Sequence, residues 1–155
     1  IQGYADATWL SAPATSKGTS GYVFLMNGAA VSWRCKQQPT VSLSTAESEL
    51  VSLCQATKEV IYLRALAAEM GLQQHGPTII HEDNKPCIDL VRNPAVTART
   101  RHVAAFAAFV REQLHARTVD VIYCPTEDML ADSLTKALAA PQLIKLRSLL
   151  MGTSQ

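Results

Sequence analysis

No surplus of positive charge marks this chain: 14 lysines and arginines face 13 aspartates and glutamates. The molecule as a whole is therefore no electrostatic attractor for nucleic acid, and any such contact has to come from a local patch. Long apolar runs are also missing. None approaches the roughly 18 residues of a membrane span, and the first ten residues, "IQGYADATWL", carry neither the basic start nor the apolar stretch of a signal peptide. Cysteine is sparse and scattered, as Cys35, Cys54, Cys87 and Cys124, with no C-x-x-C pair. That pattern argues against a disulfide framework or a zinc ribbon and for reduced, buried thiols in an intracellular protein. Repeats and low-complexity tracts are absent as well. The chain opens without Met on a strand-like run, which suggests a segment cut from a larger polyprotein.

What is present is an ordinary globular composition, 48% hydrophobic over 155 residues, enough for one domain with a real core. "GYADATW" (3–9) reads as a short strand and "SAPATSKGTSG" as a loop. "YVFLMNGAAVSWRCK" reads as two strands around Asn27-Gly28, a dipeptide suited to a tight hairpin. A long helix is expected from Thr45 to Met70, closed by Gly71. Then come a buried strand ending in acid, "PTIIHED" (77–83), a short helix stopped before Pro94, a helix over "VAAFAAFVREQLHA" and a strand in "VDVIYCP". Two closing helices follow, in "MLADSLTKAL" and "PQLIKLRSLL". The order β-β-β-α-β-α-α-β-α-α predicts an α/β domain, a mixed sheet covered by helices. Residues 1–150 would form the domain and 151–155 a tail.

The stretch "LSTAESEL" (43–50) holds two glutamates two positions apart at the start of the long helix. At about 100° per residue, Leu53, Ala56, Val60, Leu63 and Ala67 fall within roughly 40° of Glu49, and Met70 within roughly 60°. Glu49 therefore belongs to the buried, apolar stripe, while Glu47 falls with Lys58, Tyr62 and Glu69 on a solvated face. Ser44-Thr45-Ala46-Glu47 has capping-box spacing, which assigns Glu47 to the helix N-terminus, reaching back to the Ser44 backbone N–H. Glu49 is the anomaly, since a carboxylate on a core-facing stripe is costly unless paired or bound to a cation.

Other acids stand at comparable joints: Asp6 in the first strand, Asp83 just past the "TIIHE" strand, and Asp132 near a closing helix. Each has an ordinary structural explanation on its own, as a turn acid, a helix cap or a helix N-terminal acid. Together, carboxylates gathered at the ends of a sheet repel one another, and a pair of hard divalent cations with oxygen ligands resolves that conflict. Two-metal sites of this kind clamp the attacking and leaving oxygens of a phosphodiester.

These residues, in "GYADATW", "TSGYVFLMNGAAVSWRCKQQPTVSLSTAESELVSL", "HEDNKPCIDLVRNP", "ARTRHV" and "PTEDMLADSLTKAL", resemble the ribonuclease H domain of copia-type (Pseudoviridae) LTR retrotransposon reverse transcriptases. The match runs from about residue 3 to 150, in the family's order. It implies the ribonuclease H fold, a five-stranded mixed sheet with three antiparallel and two parallel strands flanked by helices. It implies endonucleolytic hydrolysis of the RNA strand of an RNA–DNA hybrid, with two Mg²⁺ ions that Mn²⁺ can replace. The family's metal-binding acids carry over as Asp6, Glu49, Asp83 and Asp132, with Glu47 as second choice for Glu49. The partners implied are the hybrid and the polymerase domain of the same polyprotein, with no membrane, inside the cell and in retrotransposon particles.

Substrate contacts are assigned to Arg34 and Lys36, which share one face of the third strand. A solvated strand edge explains that pair as well. Ser44, Thr45 and Asn84, near the acids, are candidates for touching a 2′-OH. Arg99, Arg101 and His102 form a basic cluster before a helix. The chain departs from the family at Thr8-Trp9, where an acid usually precedes the tryptophan, and at "AAFAAF" (104–109), where polar residues are usual. The second departure points to altered hybrid binding, or to contact with another subunit, such as a homodimer through the Ala104–Phe109 helix. No catalytic-loop histidine is assigned, the nearest upstream being His115 on another element. The alternative to an active nuclease is the same fold kept as a catalytically weak or domesticated tether or nucleic-acid-binding module. An integrase or resolvase of the same fold fits the closing segment less well.

Overall fold

Three consecutive strands, β1 (Gln2–Ala12), β2 (Lys17–Met26) and β3 (Ala29–Gln37), make an antiparallel meander in the computed structural model, which describes residues 1–12, 14–93 and 103–153. At the β2–β3 turn both Asn27 (φ 52°) and Gly28 (φ 82°) lie in the left-handed region, as a two-residue hairpin of the favoured hand requires. The first hairpin extends further than side-chain polarity suggests. Its ladder shifts register after Thr8, where Leu10 takes φ 54°, and resumes with Ala12 opposite Lys17, so strand pairing occupies most of the expected loop.

β4 (Thr78–Glu82) and β5 (Val119–Tyr123) add to the other side of β1, both parallel to it, giving the order β3-β2-β1-β4-β5. This is the expected five-stranded mixed sheet. The helices are α1 (Thr45–Glu69), α2 (Lys85–Arg92), α3 (Ala104–His115), α4 (Asp132–Thr135) and α5 (Ala140–Leu150). Among the described residues none is long and apolar enough to cross a membrane.

α1 lays Leu53, Ala56, Val60, Leu63 and Ala67 onto the sheet face formed by Ala5, Tyr22, Phe24, Ile80 and Val121, all buried. Met70 leaves the stripe: it is the C-cap, 65% exposed, where Gly71 (φ 75°) turns the chain away from the sheet. Val103, Ala107 and Val110 bury against this same core and Phe109 packs on it, while Ala105, Phe106 and Ala108 are exposed, so the "AAFAAF" stretch puts one side on the core and the other outside. The opposite sheet face is covered by α5 and the segment before it, through Val23, Leu130 and Leu146. The expected helix over "MLADSLTKAL" shrinks to the single turn α4, because Lys136 is already extended (φ −126°, ψ 147°). All four cysteines are free. Cys54, Cys87 and Cys124 are buried as expected, whereas Cys35 is exposed, since β3 is an edge strand with a neighbour on one side only.

Candidate metal centre

β1 is the central strand and sets the position of the site. Its parallel pairing with β4 puts Tyr4 opposite His81; two residues further along each strand come Asp6 and Asp83, at the same end of the sheet. Asp6 is fully buried, on the face that α4 covers. Gly21 is its partner on β2, and a Cβ there would lie 2.5 Å from the Thr135 methyl and 3.2 Å from Leu134 Cβ. The missing side chain is thus what lets the α4 turn come down onto Asp6.

That turn delivers three side chains. Asp132 is its first residue and is buried. The Thr135 hydroxyl donates to Asp6 Oδ2. Lys136 Nζ donates to Asp6 Oδ1 at 2.9 Å and to Asp132 Oδ1 at 2.7 Å. The helix stops after one turn where Thr135 and Lys136 reach across to Asp6. Asp83, half-buried past the end of β4, accepts a hydrogen bond from the Thr126 hydroxyl at 2.8 Å.

α1 contributes from the other side. Glu49 is only 5% exposed, as the stripe argument requires, but so is Glu47, which the same argument places on the solvated face. The reason is local. Glu47 Oε2 accepts the Leu43 N–H at 2.7 Å while Ser44 Oγ accepts the Glu47 N–H at 3.3 Å, so the cap folds its carboxylate under the incoming chain.

Carboxylate oxygens of Asp6, Asp83 and Asp132 lie within 4.8 Å of one another, as do oxygens of Glu49, Glu82 and Asp83. Asp83 belongs to both groups. The four predicted acids are thereby brought to one end of the sheet, together with Glu82, which the sequence reading passed over. A signal for it was present: alternation along "TIIHE" puts Glu82 on the same inward face as Thr78 and Ile80.

The electrostatics are those of a cluster short of positive charge. Burial, then Glu82, Asp6 and Asp83, push the Glu49 carboxyl up to about 11 against the pull of Lys136. Burial likewise holds Glu82 well above its ordinary value. Asp132 is raised to about 6, by burial first, with the Lys136 hydrogen bond opposing. Burial works against the Lys136 charge, yet its bonds and attractions to Asp132 and Asp6 outweigh that and raise it. One oxygen each of Glu49 and Glu82 is buried without a hydrogen-bond partner. A donor set made only of carboxylate oxygens, two of them unsatisfied, suits a hard divalent cation.

The expected substrate residues are more dispersed. Arg34 and Lys36 are exposed and share the α1 face of β3 with Ser32, which bonds Glu59. Ser44 caps α1, Thr45 is exposed beside it, and Asn84 caps α2 by accepting the Cys87 N–H at 2.9 Å. Arg99, Arg101 and His102 lie outside the described residues. Lys136, Thr135 and Gly21 were not singled out from sequence. The four-residue step from Asp132 to Lys136 is ion-pair spacing, but the reach to Asp6, 130 residues away, has no local signal.

No model of a known protein family matches the chain. It is 33% identical over 138 residues, 89% of its length, to the retrovirus-related Pol polyprotein from transposon TNT 1-94 of Nicotiana tabacum. To the corresponding polyprotein from transposon RE2 of Arabidopsis thaliana it is 32% identical over 139 residues, 90% of its length. It spans 10% of each of those polyproteins. Among solved structures it resembles ribonuclease H1 from the halophilic archaeon Halobacterium salinarum NRC-1, with a TM-score of 0.60 at 15% identity over 94% of this chain and 97% of that one. LC11-ribonuclease H1, solved in complex with an RNA/DNA hybrid, gives 0.62 at 12% identity over 86% and 91%. At such identities the likeness establishes the fold.

Proposed function

The chain belongs to the ribonuclease H domains of copia-type retrotransposon Pol polyproteins, and on that premise we propose that it is a divalent-cation-dependent endonuclease hydrolysing the RNA strand of RNA–DNA hybrids during reverse transcription. The observation that carries this reading is the meeting of Asp6, Asp83 and Asp132, from β1, the end of β4 and α4, with mutually adjacent carboxylate oxygens. Glu49 joins the same centre through Asp83. Two Mg²⁺ ions, or Mn²⁺, would be held by these residues, with Asp6 and Asp83 serving both, Glu49 one and Asp132 the other. When bound, the cations supply Lewis acidity to the attacking and leaving oxygens of the phosphodiester.

The protein's own part is positioning. Thr135 and Lys136 fix the Asp6 carboxylate from the α4 side, and Thr126 fixes Asp83. Lys136 has to release one of its two carboxylates before a cation can share both. Arg34 and Lys36 offer exposed positive charge to a phosphate backbone, and Ser44, Thr45 and Asn84 polar groups near the acids, with Arg99, Arg101 and His102 as further candidates. The substrate is the hybrid, and the natural partner is the polymerase domain of the same polyprotein, within the cell. A homodimer through the Ala104–Phe109 helix would use the side that carries the exposed Phe106, since Ala107, Val110 and Phe109 pack on the core.

One observation favours the second reading, a tether that binds without cutting: Lys136 already bridges Asp6 and Asp132 with its single positive charge. Incubation of an end-labelled RNA–DNA hybrid with the wild-type chain, with Mg²⁺ or with a chelator, separates the two. The nuclease reading expects Mg²⁺-dependent cuts in the RNA strand, lost in Asp83→Asn. Retention of the hybrid with no cleavage supports the tether.

A further inference from the structure

Glu82 is the one carboxylate of the cluster for which the family's four acids leave no role. It is fully buried at the end of β4. Its Oε1 accepts the Asn84 N–H at 3.1 Å, whereas Oε2 is buried with no partner, and so is Oε2 of Glu49. An inaccessible carboxylate oxygen without a donor is a costly arrangement, and apolar side chains of similar size are the cheaper filling for such a place. Two such oxygens in one cluster point to a ligand between them.

The identity of that ligand follows from the charge. Lys136 is the cation that draws on Glu49 and Glu82, but its hydrogen bonds go to Asp6 and Asp132 on the other side of the centre. Among the described residues no cation is hydrogen-bonded on the Glu49–Glu82 side, where the Asn84 N–H meets Glu82 Oε1 and the two Oε2 atoms are left without a donor. Oxygens on opposite sides of an octahedral Mg²⁺ stand about 4.2 Å apart, at about 2.1 Å per bond. Adjacent oxygens on such an ion stand about 3.0 Å apart, so the oxygens of Glu49, Glu82 and Asp83, which lie within 4.8 Å of one another, are near enough for their side chains to draw in around one ion.

We propose that Glu82 is a fifth acidic ligand of the centre, and that Glu49, Glu82 and Asp83 form a divalent-cation subsite beside the one formed by Asp6, Asp83 and Asp132. The inference rests on reading the cluster as a cation-dependent centre. It assigns Asp83 as the residue shared by both subsites and explains why a glutamate is buried at the end of a core strand.

Calorimetric titration of the whole chain with Mn²⁺ alone tests it, comparing wild type, Glu82→Gln and Asp132→Asn. Glu82→Gln should weaken one Mn²⁺ event by about tenfold or more and spare the other, while Asp132→Asn should show the reverse selectivity. Wild-type affinity and stoichiometry in Glu82→Gln overturn the inference, and if the wild type still cleaves hybrid, the nuclease reading survives that failure. A wild-type chain that neither binds Mn²⁺ nor cleaves overturns both. Should Glu82→Gln not fold, anomalous scattering from Mn²⁺ soaked into wild-type crystals decides. An ion in contact with a Glu82 oxygen supports the subsite; ions touching only Asp6, Glu49, Asp83 and Asp132 overturn it.

Discussion

Replacing Lys136 with methionine keeps an unbranched side chain one atom shorter and removes the one positive charge that, among the described residues, is hydrogen-bonded inside the acid cluster. In the metal-free protein its ammonium holds Asp6, fully buried, at 2.9 Å and Asp132, nearly so, at 2.7 Å. Breaking a buried pair by deleting one partner costs about 3–5 kcal/mol. The Lys136 side chain is 32% exposed, so solvent already screens part of that interaction, and about 2 kcal/mol is the fair expectation. For a domain of this size each kcal/mol moves the melting temperature by about 2–4 °C, so Lys136→Met should melt about 4–8 °C below wild type in a chelator. Saturating divalent cation should reverse the comparison in part. A cation entering the wild type must displace the ammonium, whereas in the variant the place is open, and a ligand at about 100 times its Kd adds about 2.7 kcal/mol. Melting curves by circular dichroism, with chelator and with millimolar Mg²⁺, read this directly. Equal melting temperatures without metal, or a gap that Mg²⁺ leaves untouched, would show that Lys136 is not the resident counter-ion.

The two helix glutamates should separate cleanly. Glu49→Gln should abolish hybrid cleavage in a folded protein, while Glu47→Ala should cleave at a near-normal rate and lose about 1 kcal/mol through its cap, as read by melting and gel assay. Gly21→Ala should cost about 1–3 kcal/mol and slow cleavage, because the new methyl meets Thr135 and Leu134 and lifts α4 from Asp6; unchanged activity would mean that the approach of α4 is not what assembles the centre. In chelator, the folded Asp132 carboxyl is raised to about 6 from an ordinary 3.8. It therefore stabilises the fold when protonated, an effect fully present below the lower value and lost as pH climbs through the upper one. The melting temperature of Asp132→Asn relative to wild type should accordingly rise between those two pH values, and a flat difference contradicts the assignment.

How far these residues could be read in advance depended on the range of the interaction that fixes each one. Glu49 was legible because its partners repeat along its own helix, and rotation alone puts it beside Leu53, Ala56 and Val60. The Asn27-Gly28 turn was legible because two positive φ angles select those residue types. Glu47 misled because helical rotation assumes that the first turn is as solvated as the middle, whereas here the chain before the helix covers it and hands it the Leu43 N–H. The extent of α4 misled for the opposite reason: "LADSLTKAL" has helical propensity, but Thr135 and Lys136 are committed to Asp6, a contact invisible to any local window.

The same division explains the architecture of the centre. Every acid in it is placed by an element whose formation has its own local cause: β1 by the hairpin, α1 by its cap and stripe, β4 by its apolar run, α4 by the opening at Gly21. Apart from the bonds of Thr135 and Lys136 to Asp6, which hold α4, none of those causes involves the other acids, and bringing the acids together is unfavourable for each. The cost is visible in the raised Glu49, Glu82 and Asp132 carboxyls. A sheet with a central parallel pair imposes the meeting anyway, since Tyr4 opposite His81 leaves Asp6 and Asp83 no other place to go. Lys136 relieves one half of the repulsion; on the other, among the described residues, the Asn84 N–H reaches Glu82 Oε1 and no cation is hydrogen-bonded. A fold that keeps such a cluster unsatisfied on the Glu49–Glu82 side has given up stability there, and recovery of that stability on binding a divalent cation is the physical reason to expect the cation at this site.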